Sequence, residues 1–219
     1  RLSPQQHIDL AEQWGEININ RFFKPLDGYP QIAEVIKAPD QKENIGGTWH
    51  TDHSYDQIPA MGSMLYARQV PPAGGDTLFA SMTLAFEALS DGMKKTLLGL
   101  NAWHSSRHAF GYSVSDSEHY EDGRLANPEL AVQDALHPVI ITHPLSGKKA
   151  LYVNADFTVR FDGWTTEESQ PLLDFLYAHG AREEFTCRFE WQEGSIALWD
   201  NRATWHNAMN DYHGHRRVM

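Results

Sequence analysis

His50-Thr51-Asp52 puts an imidazole and a carboxylate two positions apart. On an extended segment, residues i and i+2 point to the same face, about 6.5–7 Å apart along the chain. Such a pair can lean onto one cation and leave its far side open. A second histidine from elsewhere would complete a two-histidine, one-carboxylate facial triad, which leaves three positions of a ferrous ion free. An isolated H-x-D triplet also arises by chance, so its surroundings decide. The run Asp200-Asn201-Arg202-Ala203-Thr204-Trp205-His206-Asn207 follows an apolar strand and sets a histidine at a strand entrance. Further on, Arg216 and Arg217 open the next strand. Neighbours on a strand face opposite sides, so one of the two points inward. A buried arginine needs an anionic partner, because burying it alone is costly.

The elements that must position these groups are many and short. Ser3, Pro4 and Gln6 form the N-cap, first-turn proline and capping box of a first helix, with Gly15 at its end and Ile8, Leu10, Ala11 and Trp14 as its buried stripe. Strands are expected at Ile32–Lys37, across Thr48–His53, and at Met61–Arg68, Asp76–Ala80 and Leu100–His108. On the last of these, His104, Ser106 and His108 would share one face, with Arg107 on the other. His53 and Tyr55 are read on the face of Asp52. Ser81 and Ser90 cap two short helices, and Gly74-Gly75 reads as a turn.

Residues 111–136 lose periodicity and collect acidic side chains, the mark of an insertion or a lid. Strands at Pro138–Thr142 and Ala150–Val153 follow. Thr165 and Glu168 then open a helix that Gly180 closes. The tail reads as strands at Phe185–Trp191 and Ser195–Trp199, around His206, and from Arg216 onward. Turn signals every 8–12 residues, with peripheral helices, predict a mostly β fold of the double-stranded β-helix (jelly-roll) barrel kind, as a single domain over 1–219. The chain opens on Arg1 and stops at Met219 within a strand signal, so both ends are expected to be trimmed.

The composition narrows the function classes. At 219 residues the chain suits one domain that folds without staples, and 41% hydrophobic with 21% charged residues is globular, not disordered. Eighteen basic against 29 acidic residues give a formal charge of −11, a field that repels nucleic acid and anionic membrane surfaces. No apolar run is long enough to cross a bilayer. The single cysteine, Cys187, rules out an internal disulfide and fits a reducing cytoplasm. Self-association into a homo-oligomer is left open.

Taken together, Trp49-His50-Thr51-Asp52, Gly74-Gly75-Asp76-Thr77, Trp199-Asp200-Asn201-Arg202 with His206, and Arg217 eleven residues beyond that histidine resemble the TauD/TfdA family. These are Fe(II)- and 2-oxoglutarate-dependent dioxygenases that include taurine and aryloxyalkanoate dioxygenases. The resemblance implies that His50, Asp52 and His206 ligate iron. It further implies that Thr77 and Arg217 hold the distal carboxylate of 2-oxoglutarate and that Trp199 walls its pocket. Phe110 and Phe157 align with aromatic residues that pack on substrate, and His53 and Tyr55 join them as candidates for the substrate pocket. Taurine-processing members carry a sulfonate-binding histidine near Asn20 and an asparagine near Gly46; both differ here.

The implied reaction couples O2 and 2-oxoglutarate to hydroxylation of a small organic anion (a sulfonate, sulfate ester or aryloxyalkanoate), with succinate and CO2 as co-products. Both histidines must be neutral to ligate, so iron affinity is expected to fall below about pH 6.5. Two other readings of the residues stand beside it: a zinc-dependent hydrolase on the same scaffold, and a non-catalytic module that binds a small anion.

Overall fold

The computed structural model describes residues 1–219. Fourteen short strands pair antiparallel in small two- and three-stranded sheets, with helices on the outside. The mostly β expectation therefore holds.

The helix signals are met by their caps. Ser3 accepts from the Gln6 amide and Gln6 answers to the Ser3 amide, starting the helix Pro4–Glu12. Its expected apolar stripe is mostly unused, because only Ile8 is buried and Trp14, beyond the last turn, is 56% exposed. Ser81 and Ser90 cap Met82–Glu87 and Asp91–Leu97, and Thr165 with Glu168 opens Thr166–Gly180.

Gly180 does close the long helix, and its reason is packing. It is the last helical residue, and a Cβ there would lie 2.5 Å from Cζ3 of Trp205. Its missing side chain lets the helix close against that indole.

The strands that build the site lie in two sheets. In the first, Thr77–Ser81 is flanked by Thr186–Phe189 and Thr204–Ala208. Trp205 pairs with Ala80 on the face that packs against Leu173 and Leu176 of the long helix in the main core. Because side chains alternate, Phe79 and Thr77 share the opposite face with His206, which pairs with Phe79. In the second sheet, Gly62–Tyr66 pairs with Ile196–Asp200, setting Ser63 opposite Trp199. A two-residue ladder pairs Arg217 with Lys37.

Three local expectations are corrected. Residues 100–108 are not one strand: Asn101–Ser105 is followed by a helical turn, Arg107–Phe110, because Ser105 Oγ accepts from the Arg107 amide and Ser106 is helical. His104 and His108 thus do not share a strand face, and His104 is fully buried. The expected strand at 32–37 is broken into Tyr29–Ala33 and Ile36–Lys37. Residues 111–136 carry helical turns at Tyr112–Val114, Glu118–Glu121 and Pro128–Leu130. That stretch is fastened down, with Glu118 accepting from the amides of Lys42 and Glu43, and Arg124 donating to the Glu43 carbonyl.

Candidate metal centre and cosubstrate pocket

His50 and His206 exchange backbone hydrogen bonds, amide to carbonyl in both directions (3.1 and 2.8 Å). This isolated antiparallel bridge sets the two imidazoles side by side, ring centroids 4.1 Å apart. His206 sits mid-strand, not at a strand entrance, and its cross-strand partner Phe79 keeps it on the cavity face.

Asp52 arrives by a different route from the one the spacing suggested. The chain turns after Thr51 instead of running extended, with His53 in the left-handed region at φ 59°. Asp52 Oδ1 nevertheless lies 3.5 Å from His50 Nε2 and 3.9 Å from His206 Nε2. One ligand atom from each of the three residues falls within 4.8 Å of the others.

Each ligand is oriented from behind. His50 Nδ1 donates to the Thr48 carbonyl at 2.8 Å, which leaves Nε2 as the open nitrogen. Asp52 Oδ2 accepts from Ser63 Oγ at 2.6 Å, and Ser63 Oγ accepts from Asn201 Nδ2 at 3.1 Å. Gly46, at φ +77°, leaves room beside His50, since a Cβ there would lie 3.3 Å from its Cε1. Two neutral nitrogens and one carboxylate oxygen are the donor set of a facial triad, so these residues fit a ferrous ion.

The electrostatics agree with three groups awaiting a cation. Burial pushes His50 down, but the bond to Asp52 and the charges of Asp156 and Asp52 outweigh it and raise it to about 9. Burial, then the charge of His50, pushes His206 down to about 3. For Asp52, burial is overcome by the imidazoles of His206 and His50, which hold the carboxyl well below the usual range. A metal at this point takes the place of the proton that His50 otherwise keeps.

Arg217 is the second unusual group. It is only 4% exposed, yet its Nε and Nη2 have no partner and no carboxylate pairs with it, whereas Arg216 beside it is exposed. Its guanidinium lies over the Trp191 ring, 5.8 Å from the centroid. Thr77, fully buried on the face of His206, accepts from Trp191 Nε1 at 2.9 Å. Trp199 packs on His206 at 4.7 Å between centroids. A buried guanidinium without a partner and a hydroxyl whose proton is unspent, both held by the same indole, are the donor types a carboxylate takes.

His50, Asp52, His206, Thr77, Trp199 and Arg217 line one cavity of about 1850 Å³. That exceeds the roughly 300–1,000 Å³ of a usual small-molecule pocket.

The sequence pattern described as "Taurine catabolism dioxygenase TauD, TfdA family" matches residues 1–219. The chain belongs to the TauD/TfdA family. It is 34% identical to the alkylsulfatase of Acinetobacter baylyi over 98% of this chain and 69% of that protein. It is 36% identical to an alpha-ketoglutarate-dependent dioxygenase of Penicillium expansum, over 96% of this chain and only 60% of that protein. A crystal structure of a taurine dioxygenase from Burkholderia xenovorans superimposes with a TM-score of 0.77 at 32% identity, covering 99% of this chain and 70% of that one.

On this TauD/TfdA scaffold, Tyr55, Phe110 and Phe157 do meet. Tyr55 and Phe157 are edge-to-face at 4.9 Å, Phe110 and Phe157 lie 5.9 Å apart, and Phe157 presents to His50 at 6.3 Å. His53 does not share a strand face with Asp52, because the backbone turns there. Its Nδ1 pairs with Asp56 at 3.0 Å, and Arg21 clamps that carboxylate. Asn20 lines the cavity, but its Oδ1 is spent on the amides of Phe22 and Phe23. Sequence reasoning missed Ser63, Asp156 and Trp191. Only Trp191 carried a signal, as a large aromatic at the end of an apolar strand.

Proposed function

We propose that this TauD/TfdA protein is an Fe(II)- and 2-oxoglutarate-dependent dioxygenase that hydroxylates a small organic anion. The observation that carries the reading is the unpaired, buried Arg217 sharing a cavity with the His50–Asp52–His206 cluster. A zinc hydrolase has no use for that arginine, and a non-catalytic module has no use for three converging ligands.

His50, Asp52 and His206 would hold the metal, and Arg217 and Thr77 the distal carboxylate of 2-oxoglutarate, with Trp199 as a wall. When bound, Fe(II) with 2-oxoglutarate and O2 supplies the oxidising chemistry that turns the cosubstrate into succinate and CO2 and places a hydroxyl on a substrate carbon. The chain's own task is orientation and exclusion of water. Thr48 and Ser63 aim the ligand atoms, and the aromatic group of Tyr55, Phe110 and Phe157 dries the side of the cavity next to His50. No side chain need move a proton.

The substrate side is formed by that aromatic group together with His53 and the free Nδ2 of Asn20. Its chemistry suits an anion with an apolar body, and the names of the relatives support sulfate esters and sulfonates as the first classes to try, followed by the aryloxyalkanoates that the sequence resemblance implies. The barrel form is the double-stranded β-helix, with the paired sheets as its arcs and residues 111–136 as a lid. The proposed compartment is the cytoplasm, on the single exposed Cys187.

The test is a succinate-release screen with Fe(II), 2-oxoglutarate and air over those three substrate classes. Substrate-dependent succinate that disappears in His50→Ala supports the reading. Turnover that survives His50→Ala, or product formed without 2-oxoglutarate, contradicts it.

A further inference from the structure

Trp191 is buried, and its indole touches both groups that would anchor the cosubstrate. Its Nε1–H donates to Thr77 Oγ1 at 2.9 Å, and its ring face lies beneath the Arg217 guanidinium, 5.8 Å away. The indole is itself held in place. Phe189 packs edge-on against it at 4.7 Å, and the chain after it is closed by the Gln192–Ser195 turn.

A threonine hydroxyl has one proton to give and two lone pairs to receive, whereas an indole N–H can only give. Trp191 therefore fixes the direction of the hydroxyl. One lone pair of Thr77 is taken, and its proton finds no acceptor within the protein, since the indole is its sole side-chain partner. The same ring lies against one face of Arg217 and so orients the plane in which its unpaired Nε–H and Nη2–H point.

We propose that Trp191 is a positioning residue for the 2-oxoglutarate carboxylate, acting through Thr77 by orienting its hydroxyl proton and through Arg217 by stacking. This rests on the functional reading above. It predicts a role in cosubstrate binding that is separate from the chemistry at the metal.

The experiment is calorimetric titration of 2-oxoglutarate into the full chain loaded with Mn(II), without O2, for wild type, Trp191→Phe, Thr77→Val and the double variant. Phenylalanine keeps an aromatic ring near Arg217 and removes the N–H together with one of the two fused rings, and the Thr77→Val background separates the lost hydrogen bond from the lost bulk. Trp191→Phe is expected to weaken binding about fivefold, the worth of one neutral hydrogen bond. In the Thr77→Val background the same change is expected to cost less than twofold. In turnover assays the KM for 2-oxoglutarate rises and kcat stays within twofold. Unchanged binding in Trp191→Phe, or the same fivefold loss in the Thr77→Val background, overturns the proposal.

Should Trp191→Phe fail to fold, ¹⁵N spectra of tryptophan-labelled protein decide. One of the seven indole N–H signals must move both in Thr77→Val and when 2-oxoglutarate is added to wild type; if no signal does both, the proposal fails. Failure of the wild type to bind 2-oxoglutarate at all would instead sink the functional reading, so the two results are distinguishable.

Discussion

Ser63 Oγ donates to the Asp52 oxygen that faces away from the imidazoles, so Oδ2 is occupied and Oδ1 is left toward His50 and His206. The relationship follows from strand register, because Ser63 pairs with Trp199 and both turn inward. Ser63→Ala frees the carboxylate to rotate. Mn(II) affinity, read by anaerobic calorimetry, is expected to fall about tenfold with the melting temperature nearly unchanged. An unaltered affinity would mean that Asp52 is held by something else.

Arg217 is a buried charge without a partner, which stabilises nothing until a carboxylate arrives. Arg217→Met is therefore expected to leave the protein without cosubstrate as stable as wild type or more so. Its 2-oxoglutarate affinity should fall about 100-fold or more. Thermal melts with and without 2-oxoglutarate check both halves: wild type gains stability on addition and the variant does not. A variant that still responds would place the anion elsewhere.

These two groups show how far the sequence could be read. His50, Asp52, His206 and Arg217 were legible because their chemistry and order along the chain are distinctive; strand alternation requires one of Arg216 and Arg217 to turn inward, and the family resemblance picks Arg217. The partners that aim them were not. Ser63 is an ordinary serine whose importance comes from facing Trp199 in a ladder no local pattern reveals. The turn at His53 escaped notice because a left-handed histidine has no composition signal, and the clamp of Arg21 on Asp56 that accompanies it spans 35 residues. Among the helices, capping residues predicted starts well, whereas burial depended on packing: Trp14 remained outside.

His104 gives the fold a dependence on acid. Burial first, then the charges of His137 and His108, push it down to about 3, while in the unfolded chain it titrates near 6.5. Between those values the unfolded state takes up a proton that the folded state refuses. This contribution is complete above about pH 6.5 and is lost as the pH falls toward 3, by at most about 1.4 kcal/mol per pH unit. Urea midpoints at pH 7 and pH 5 should drop more steeply for wild type than for His104→Asn. Equal slopes would contradict the assignment.

Gly180→Ala tests why the long helix ends in glycine. In a helix, alanine is ordinarily favoured over glycine by about 1 kcal/mol. Here the added Cβ would lie 2.5 Å from the Trp205 ring, and overpacking of this kind costs about 1–3 kcal/mol. A lower melting temperature is expected, with weaker metal binding as well, because Trp205 precedes His206 on the same strand. A stabilised variant would show that the indole moves aside freely.

The central claim is that His50, Asp52 and His206 converge on one ferrous ion next to a keto acid anchored by Arg217. Its most direct test is the visible absorption of the protein mixed anaerobically with Fe(II) and 2-oxoglutarate. A charge-transfer band is expected that needs both additions, appears in wild type at one iron per chain, and is absent in His206→Ala. A band that persists unchanged in His206→Ala, or no band at all in iron-loaded wild type, would contradict it.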